Sequence, residues 1–378
     1  MLQQTYARCS RLFVYVRQLM ALPKALPGGG IGLLRLDALG DYLLFRPYIP
    51  YFRRKNIPFI FICNAKVLPL AQLLDSGHID CFLPIDLDLF KTSPGYSQEI
   101  LRRLRGLNLD ILLNPVWSRT FSSDIAALAT GAPLRAAWRG NYVNQSFFGP
   151  LLSNRCYNKI VISPNKTEIF ESSRHCLWLK LTEDETVTER LSEDLNQYAQ
   201  SGPYDRTPVF FLGASASWRR LPALKIAKVV EHMAKLTAKP VTLAGGDDAR
   251  DLAGQVLQVL SPAVKTKVNN FAGQSSLPQL ISLVASTPLM VSHDSLAAHI
   301  AAACNTSCLV LADGSRYGRF WPYPQRLAPR TQVIYPPAFP SSWPPERLAQ
   351  RFSSESGLRV ADIPVEQIWA VLNNLLKN

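Results

Sequence analysis

Short apolar runs of strand length alternate along the chain with longer segments in which apolar residues return every three or four positions. A first set of strand candidates is IGLLRL (31–36), PFIFIC (58–63), DCFLPI (80–85), LDILLN (109–114) and KIVIS (159–163). A second set is PVFFLG (208–213), PVTLAG (240–245), PLMVSH (288–293), SCLVLA (307–312) and TQVIY (331–335). Helix-period segments lie between most of them, Ala223–Leu236 and Leu277–Ala285 among them. Strand and helix alternating in this way, twice over, predict two α/β domains with parallel sheets. The polar stretch 181–207 holds the densest run of acids and reaches a Gly-Pro pair. It sets the expected boundary, giving domains over 29–200 and 201–378 behind a segment over 1–28.

That first segment has a pattern of its own. On a helical wheel Leu2, Tyr6, Cys9, Leu12, Phe13, Val16, Leu19 and Met20 share one side, Arg8 and Arg17 flank it, and Arg11 and Gln18 lie opposite. Arg11 and Arg17 interrupt the apolar run and no small-residue cleavage site follows, which reads against a signal peptide. Two readings stay open: a helix packed on the protein's own surface, or one lying on the inner face of a membrane with arginines meeting anionic lipid. PGGG (27–30) breaks the helix, and with no Lys-Ser/Thr after it the run is a hinge, not a phosphate loop. Nowhere does the chain approach the roughly 18 uninterrupted apolar residues of a membrane span.

Composition narrows the classes. With 47% apolar and 18% charged residues over 378 positions, the chain belongs with folded multi-domain proteins. The formal net charge of +13 favours phosphate-bearing or otherwise anionic partners. No zinc-finger spacing and no RNP-like aromatic-basic run is present, so nucleic acid is not the expected partner. Seven scattered cysteines, with no CxxC pair, predict reduced thiols in a cytoplasmic protein and no metal site.

Chemistry in open α/β sheets gathers at the carboxyl ends of strands, and several stretches stand there. DALGD (37–41) places Asp37 directly after a strand, where it can brace a turn, and Asp41 at the start of the helical run YLLFRPYIPYFRR. Asp41 is either that helix's cap or a carboxylate with a chemical task. GASASWRRLP (213–222) combines the small residues Gly213, Ala214 and Ser215 with Arg219 and Arg220, a pairing suited to a diphosphate at a helix start. SHDSLAAHIAAA (292–303) supplies Asp294 or Ser295 as an N-cap and His299 one turn into the helix. NPVWSR (114–119) offers Trp117 for stacking on a sugar and Arg119 for an acidic group, or either for local packing.

Together these stretches resemble glycosyltransferase family 9, the lipopolysaccharide heptosyltransferase-like family. RLDALGD (35–41), GASASWRRLP (213–222), LAGGDDARD (243–251), FAGQSSLPQL (271–280) and HDSLAAHIAAACN (293–305) follow the family's motifs in the family's order. The resemblance implies GT-B architecture: two Rossmann-like domains facing across a cleft, acceptor on the first and nucleotide-sugar on the second. It implies inverting transfer without a catalytic metal or other cofactor, with a nucleotide-sugar such as ADP-heptose as co-substrate. The acceptor would be an anionic glycan or glycolipid of lipopolysaccharide core type, met in the cytoplasm or at the inner face of the inner membrane. By the family pattern Asp41 is the general base; Gly213, Ser215, Arg219, Asp294, Ser295 and His299 bind the donor; and Trp117 and Arg119 lie where the acceptor binds.

Three departures stand out. Arg219 replaces the family's lysine, Leu296 replaces the glycine that follows its Asp-Ser/Thr pair, and LADGSRYGRFWPYP (311–324) is more basic and aromatic than the usual ending. Leu296 keeps a second expectation alive, a non-catalytic GT-B-like nucleotide- or glycan-binding scaffold.

Overall fold

The computed structural model describes residues 13–26, 28–141, 143–145, 149–164, 169–199 and 206–375. The chain divides into two compact units, one of Met1–Pro164 and His175–Val187, the other of Asn165–Arg174 and Thr188–Asn378. The helix Glu171–Thr182 is therefore shared, its first turn counting with the second unit.

In the first unit the strands are β1 (Gly30–Arg35), β2 (Phe59–Asn64), β3 (Cys81–Ile85), β4 (Leu109–Asn114), β5 (Leu134–Trp138) and β6 (Lys159–Val161). They pair in the order β3-β2-β1-β4-β5-β6, every pair parallel. The second unit has β7 (Val209–Phe211), β8 (Val241–Ala244), β9 (Val268–Asn270), β10 (Met290–His293), β11 (Cys308–Leu311) and β12 (Thr331–Ile334). Their order, β12-β11-β10-β7-β8-β9, repeats the same winding, again all parallel. Each sheet is the doubly wound Rossmann order, and its direction of winding reverses between β1 and β4 in one unit and between β7 and β10 in the other. The two α/β domains expected from the alternation are present.

Two strands escaped the periodicity. β5 (LRAAW) carries an arginine and two alanines, too little apolar bulk to stand out. β9 is the three residues VNN, all half-exposed at a sheet edge. The helices over 223–236 and 277–285 are found as Ala223–Thr237 and Leu277–Ser286. The run after Asp41 is shorter as an α-helix than its apolar pattern predicts. It is helical over Leu39–Phe45 and tightens into a 3₁₀ segment over Arg46–Phe52, because Pro47 and Pro50 withhold the amide donors an α-helix needs.

Each unit has its own core. In the first, Leu34, Ile62 and Leu112 of the sheet pack with Ile100, Leu101 and Leu104 of the helix Pro94–Gly106. In the second, Phe210, Leu243, Val291 and Leu309 pack with Ile226, Val230 and Met233. Burying each such side chain contributes about 1.5–3 kcal/mol.

Residues 13–20 form a helix, and Leu2, Tyr6, Arg8, Cys9, Arg11 and Leu12 of the same wheel lie outside the described residues. The Tyr15 hydroxyl donates to the Phe90 carbonyl at 2.6 Å, and the Gln18 amide donates to the Pro94 carbonyl at 2.8 Å. Leu19 and Leu22 pack against the first unit's core. These contacts fix the helix's rotation, leaving Phe13, Val16 and Met20 exposed beside an exposed Arg17. Among the described residues no helix is long and apolar enough to cross a membrane.

Candidate functional site

In the second unit β7 and β10 are paired neighbours, so the segments leaving their carboxyl ends emerge side by side. Arg219 lies in the segment after β7 and Asp294 directly after β10, 75 residues apart in sequence. Arg219 Nη1 stands 3.2 Å from Asp294 Oδ2 and donates also to Ser215 Oγ at 3.4 Å. On its other edge Nε lies 3.6 Å from Oδ2 of Asp313, which follows β11; this is longer than a hydrogen bond, so the attraction is Coulombic. Asp294 is held in turn by Trp321, whose indole N–H donates to Oδ1 at 2.7 Å. The Trp321 ring stacks on His299 with centroids 5.0 Å apart and planes 13° from parallel. His299 Nδ1 meets the Tyr323 hydroxyl at 2.8 Å.

Arg219, Asp294, Ser215 and His299 are thus brought together, and they have partners the motifs did not name: Asp313, Trp321 and Tyr323. The sequence signal for these three was the unusual 311–324 segment. Burial holds the Tyr323 hydroxyl well above its usual range, so it stays protonated.

The N-cap expectation holds by position, since Ser295 is the N-cap of the helix Leu296–Ala303. Its hydroxyl nevertheless pairs with Ser292 Oγ at 3.0 Å and makes no capping bond. The helix's first-turn N–H groups therefore have no side-chain cap, an arrangement that suits an anion. Leu296 begins this helix without a positive φ, so the backbone does not require glycine there; what leucine adds is bulk. Gly213 answers to packing, because a Cβ there would come within 2.7 Å of the Phe211 ring. Arg220 donates to the Ala214 carbonyl at 2.7 Å and pairs with Asp248, which ties down the 213–222 segment.

In the first unit the Asp37 side chain pairs with that of Arg35, two residues before it on the last position of β1. Arg35 is buried and lies over the Phe45 ring at 4.1 Å. Asp41 is not a cap: the helix Leu39–Phe45 has Ala38 at its N-cap, and Asp41 sits half-buried in the first turn. That helix is pinned by its other face. Arg46 grips Asp75 with Nε at 3.0 Å and Nη2 at 2.9 Å, and the Tyr42 hydroxyl donates to the same carboxylate.

Trp117 and Arg119 follow β4, the neighbour of β1. Trp117 is half-buried and meets Trp138 edge-on at 5.7 Å. Arg119 is turned inward with only 1% of its side chain exposed, pairing with Asp124 at 3.2 Å and Asn154 at 2.6 Å. An acidic sugar would have to displace Asp124 to reach it. Burial pushes the Asp124 carboxyl up to about 6, against the pull of Arg119.

Of the described cysteines only Cys81 is exposed, and burial pushes the Cys63, Cys156 and Cys304 thiols up to about 12. Among the described residues no cluster of three or more His, Cys, Asp or Glu is placed to hold a metal ion.

The family model described as glycosyltransferase family 9 (heptosyltransferase) matches residues 99–329, more than half of the chain. A family 9 glycosyl transferase from Veillonella parvula superposes with a TM-score of 0.67 at 18% identity, covering 94% of this chain and 99% of that one. The ADP-heptose lipopolysaccharide heptosyltransferase II of E. coli gives 0.64 at 18% identity, over 92% and 98%. E. coli heptosyltransferase WaaC with ADP-2-deoxy-2-fluoro heptose gives 0.65 at 13% identity, over 91% and 99%. Likeness at these identities speaks for a shared GT-B fold. No curated protein sequence matches the chain.

Proposed function

Because the chain belongs to glycosyltransferase family 9, we propose that it moves a sugar, heptose or one like it, from a nucleotide-sugar to an acceptor of lipopolysaccharide-core or related surface-glycan type. The observation that carries this reading is the meeting of Arg219 with Asp294 where the second sheet reverses its winding, beside an uncapped helix start. Cation, helix dipole and small residues in one place suit a leaving diphosphate. In this reading Gly213, Ser215, Arg219, Asp294, Ser295 and His299 form the donor site, and two of the similar E. coli proteins bear the names of ADP-heptose or its analogue.

Transfer is a single inverting displacement without a metal. The acceptor hydroxyl loses its proton as it attacks the anomeric carbon, and Asp41, near the carboxyl end of β1, is the group to take it. A base of this kind is worth about 10²–10⁴-fold in rate. Trp117 serves the acceptor by stacking, while Arg119, committed to Asp124, acts by holding the wall of that region in shape. The outward residues Phe13, Val16 and Met20, with Arg17 beside them, support peripheral contact with an anionic membrane carrying a lipid-linked acceptor.

The test is thermal stabilisation by ADP, UDP, GDP and TDP, on wild type and Arg219→Ala. A nucleotide at about 100 times its Kd adds about 2.7 kcal/mol, a shift of a few degrees. Stabilisation by one of them, weakened in the variant, names the donor class, and ADP would point to heptose. Stabilisation by none would favour a scaffold whose site Leu296 has filled.

A further inference from the structure

Two of the chain's departures from its family touch each other. Arg219 stands where the family has lysine, and Asp313 belongs to the divergent 311–324 segment; the two side chains lie 3.6 Å apart although 94 positions separate them. We infer that they act as one unit, Asp313 being a positioning residue that holds the Nε edge of Arg219 while Asp294 holds Nη1, leaving Nη2 as the donor offered to the nucleotide's diphosphate. The inference rests on the proposed donor site.

The geometry carries it in three steps. First, Asp313 is a rigid post. Its side chain is 2% exposed and accepts from the Ser315 N–H at 3.0 Å and the Ser315 hydroxyl at 2.9 Å. Ser315 Oγ in turn accepts the Ser356 N–H at 2.9 Å. Second, the guanidinium is oriented by both its carboxylate neighbours. Nη1 serves Asp294 and Ser215 and Nε faces Asp313, while Nη2 makes no hydrogen bond to any of the described residues, on a side chain 16% exposed.

Third, only a planar fork can use such a socket. A lysine ammonium is a point charge on a flexible stem, and between two carboxylates it would spend its N–H donors on them and offer little to a phosphate. Arginine at 219 and aspartate at 313 therefore form a matched pair, and restoring the family lysine alone should damage the site.

The experiment compares wild type, R219K, D313N and R219K/D313N by calorimetry with whichever of ADP, UDP, GDP and TDP the wild type binds. Asparagine at 313 retains an oxygen for the Ser315 N–H and removes the charge. R219K is expected to weaken binding by about tenfold or more, roughly 1.4 kcal/mol. Adding D313N should recover about fivefold or more of that loss, since the ammonium then answers to Asp294 alone. A merely structural Asp313 would make D313N neutral or harmful in both backgrounds and never restorative. R219K binding within about twofold of wild type, or a double variant no tighter than R219K, overturns the inference while leaving the transferase reading intact. Wild type binding none of the four nucleotides overturns both.

Discussion

The imidazole of His293 accepts the backbone N–H of Leu221 at 3.0 Å, joining the end of β10 to the end of the segment that carries Arg219. A ring nitrogen that accepts is unprotonated, so this join exists only with the histidine neutral. Burial supplies that condition, pushing His293 down from 6.5 to about 4, with the nearby Arg220 charge acting in the same direction.

A pH dependence of stability follows. Above pH 6.5 neither the folded nor the unfolded chain is protonated at His293 and the residue costs nothing. Below it the unfolded chain binds a proton that the folded chain refuses until about pH 4, so stability falls across that window. The loss from this residue is on the order of 3 kcal/mol. Urea unfolding of wild type and His293→Gln at pH 7 and pH 4.5 checks this. The variant, having nothing to titrate, should lose less stability between the two pH values, and equal losses would remove His293 as the cause.

Asp41→Asn should keep nucleotide binding and lose about 10²-fold or more in turnover, since the amide cannot take a proton. Steady-state transfer beside calorimetric donor binding separates the two quantities. Full turnover in the variant would end the base assignment.

The Asp75 carboxylate receives Arg46 on both oxygens and the Tyr42 hydroxyl, all three groups buried. Asp75→Ala strands the Arg46 charge in the interior, which costs about 3–5 kcal/mol. Because this cluster anchors the helix bearing Asp41, the variant should lose stability in denaturant titrations and also turnover at temperatures where it remains folded. Wild-type stability would show that the cluster holds nothing.

Exposed Phe13 and Met20 stand on the solvent side of a helix whose other side is tied to Phe90 and Pro94. Replacing both by serine should leave the fold and nucleotide binding unchanged and cut sedimentation with vesicles of anionic phospholipid. Wild-type binding should weaken as salt rises, because about 1 kcal/mol per basic residue near the surface is electrostatic. Equal sedimentation of variant and wild type would assign the apolar stripe another purpose.

Much of the fold was legible in the chain. Strands buried on both faces read as continuous apolar runs, helices return to the core every three or four residues, and parallel strands demand crossovers of helix length. Small and charged residues at strand ends marked where the sheets open, and motif order carried the family. β9 was illegible because three half-exposed residues leave no apolar signal, and β5 because alanine fills a tight sheet without looking hydrophobic.

What local pattern determined by itself was therefore the two-sheet architecture and the residue types at the strand ends. Tertiary structure decided what each charge does, since a charge withdrawn from water is stable only beside an opposite one, wherever in the chain that lies. Arg119 and Arg219 look alike in sequence, each an arginine beyond a strand. One turns inward to Asp124, while the other stands between Asp294 and Asp313 with an N–H to spare. The difference lies in the order of the strands, which brings β7, β10 and β11 side by side and sets their carboxylates around a single guanidinium.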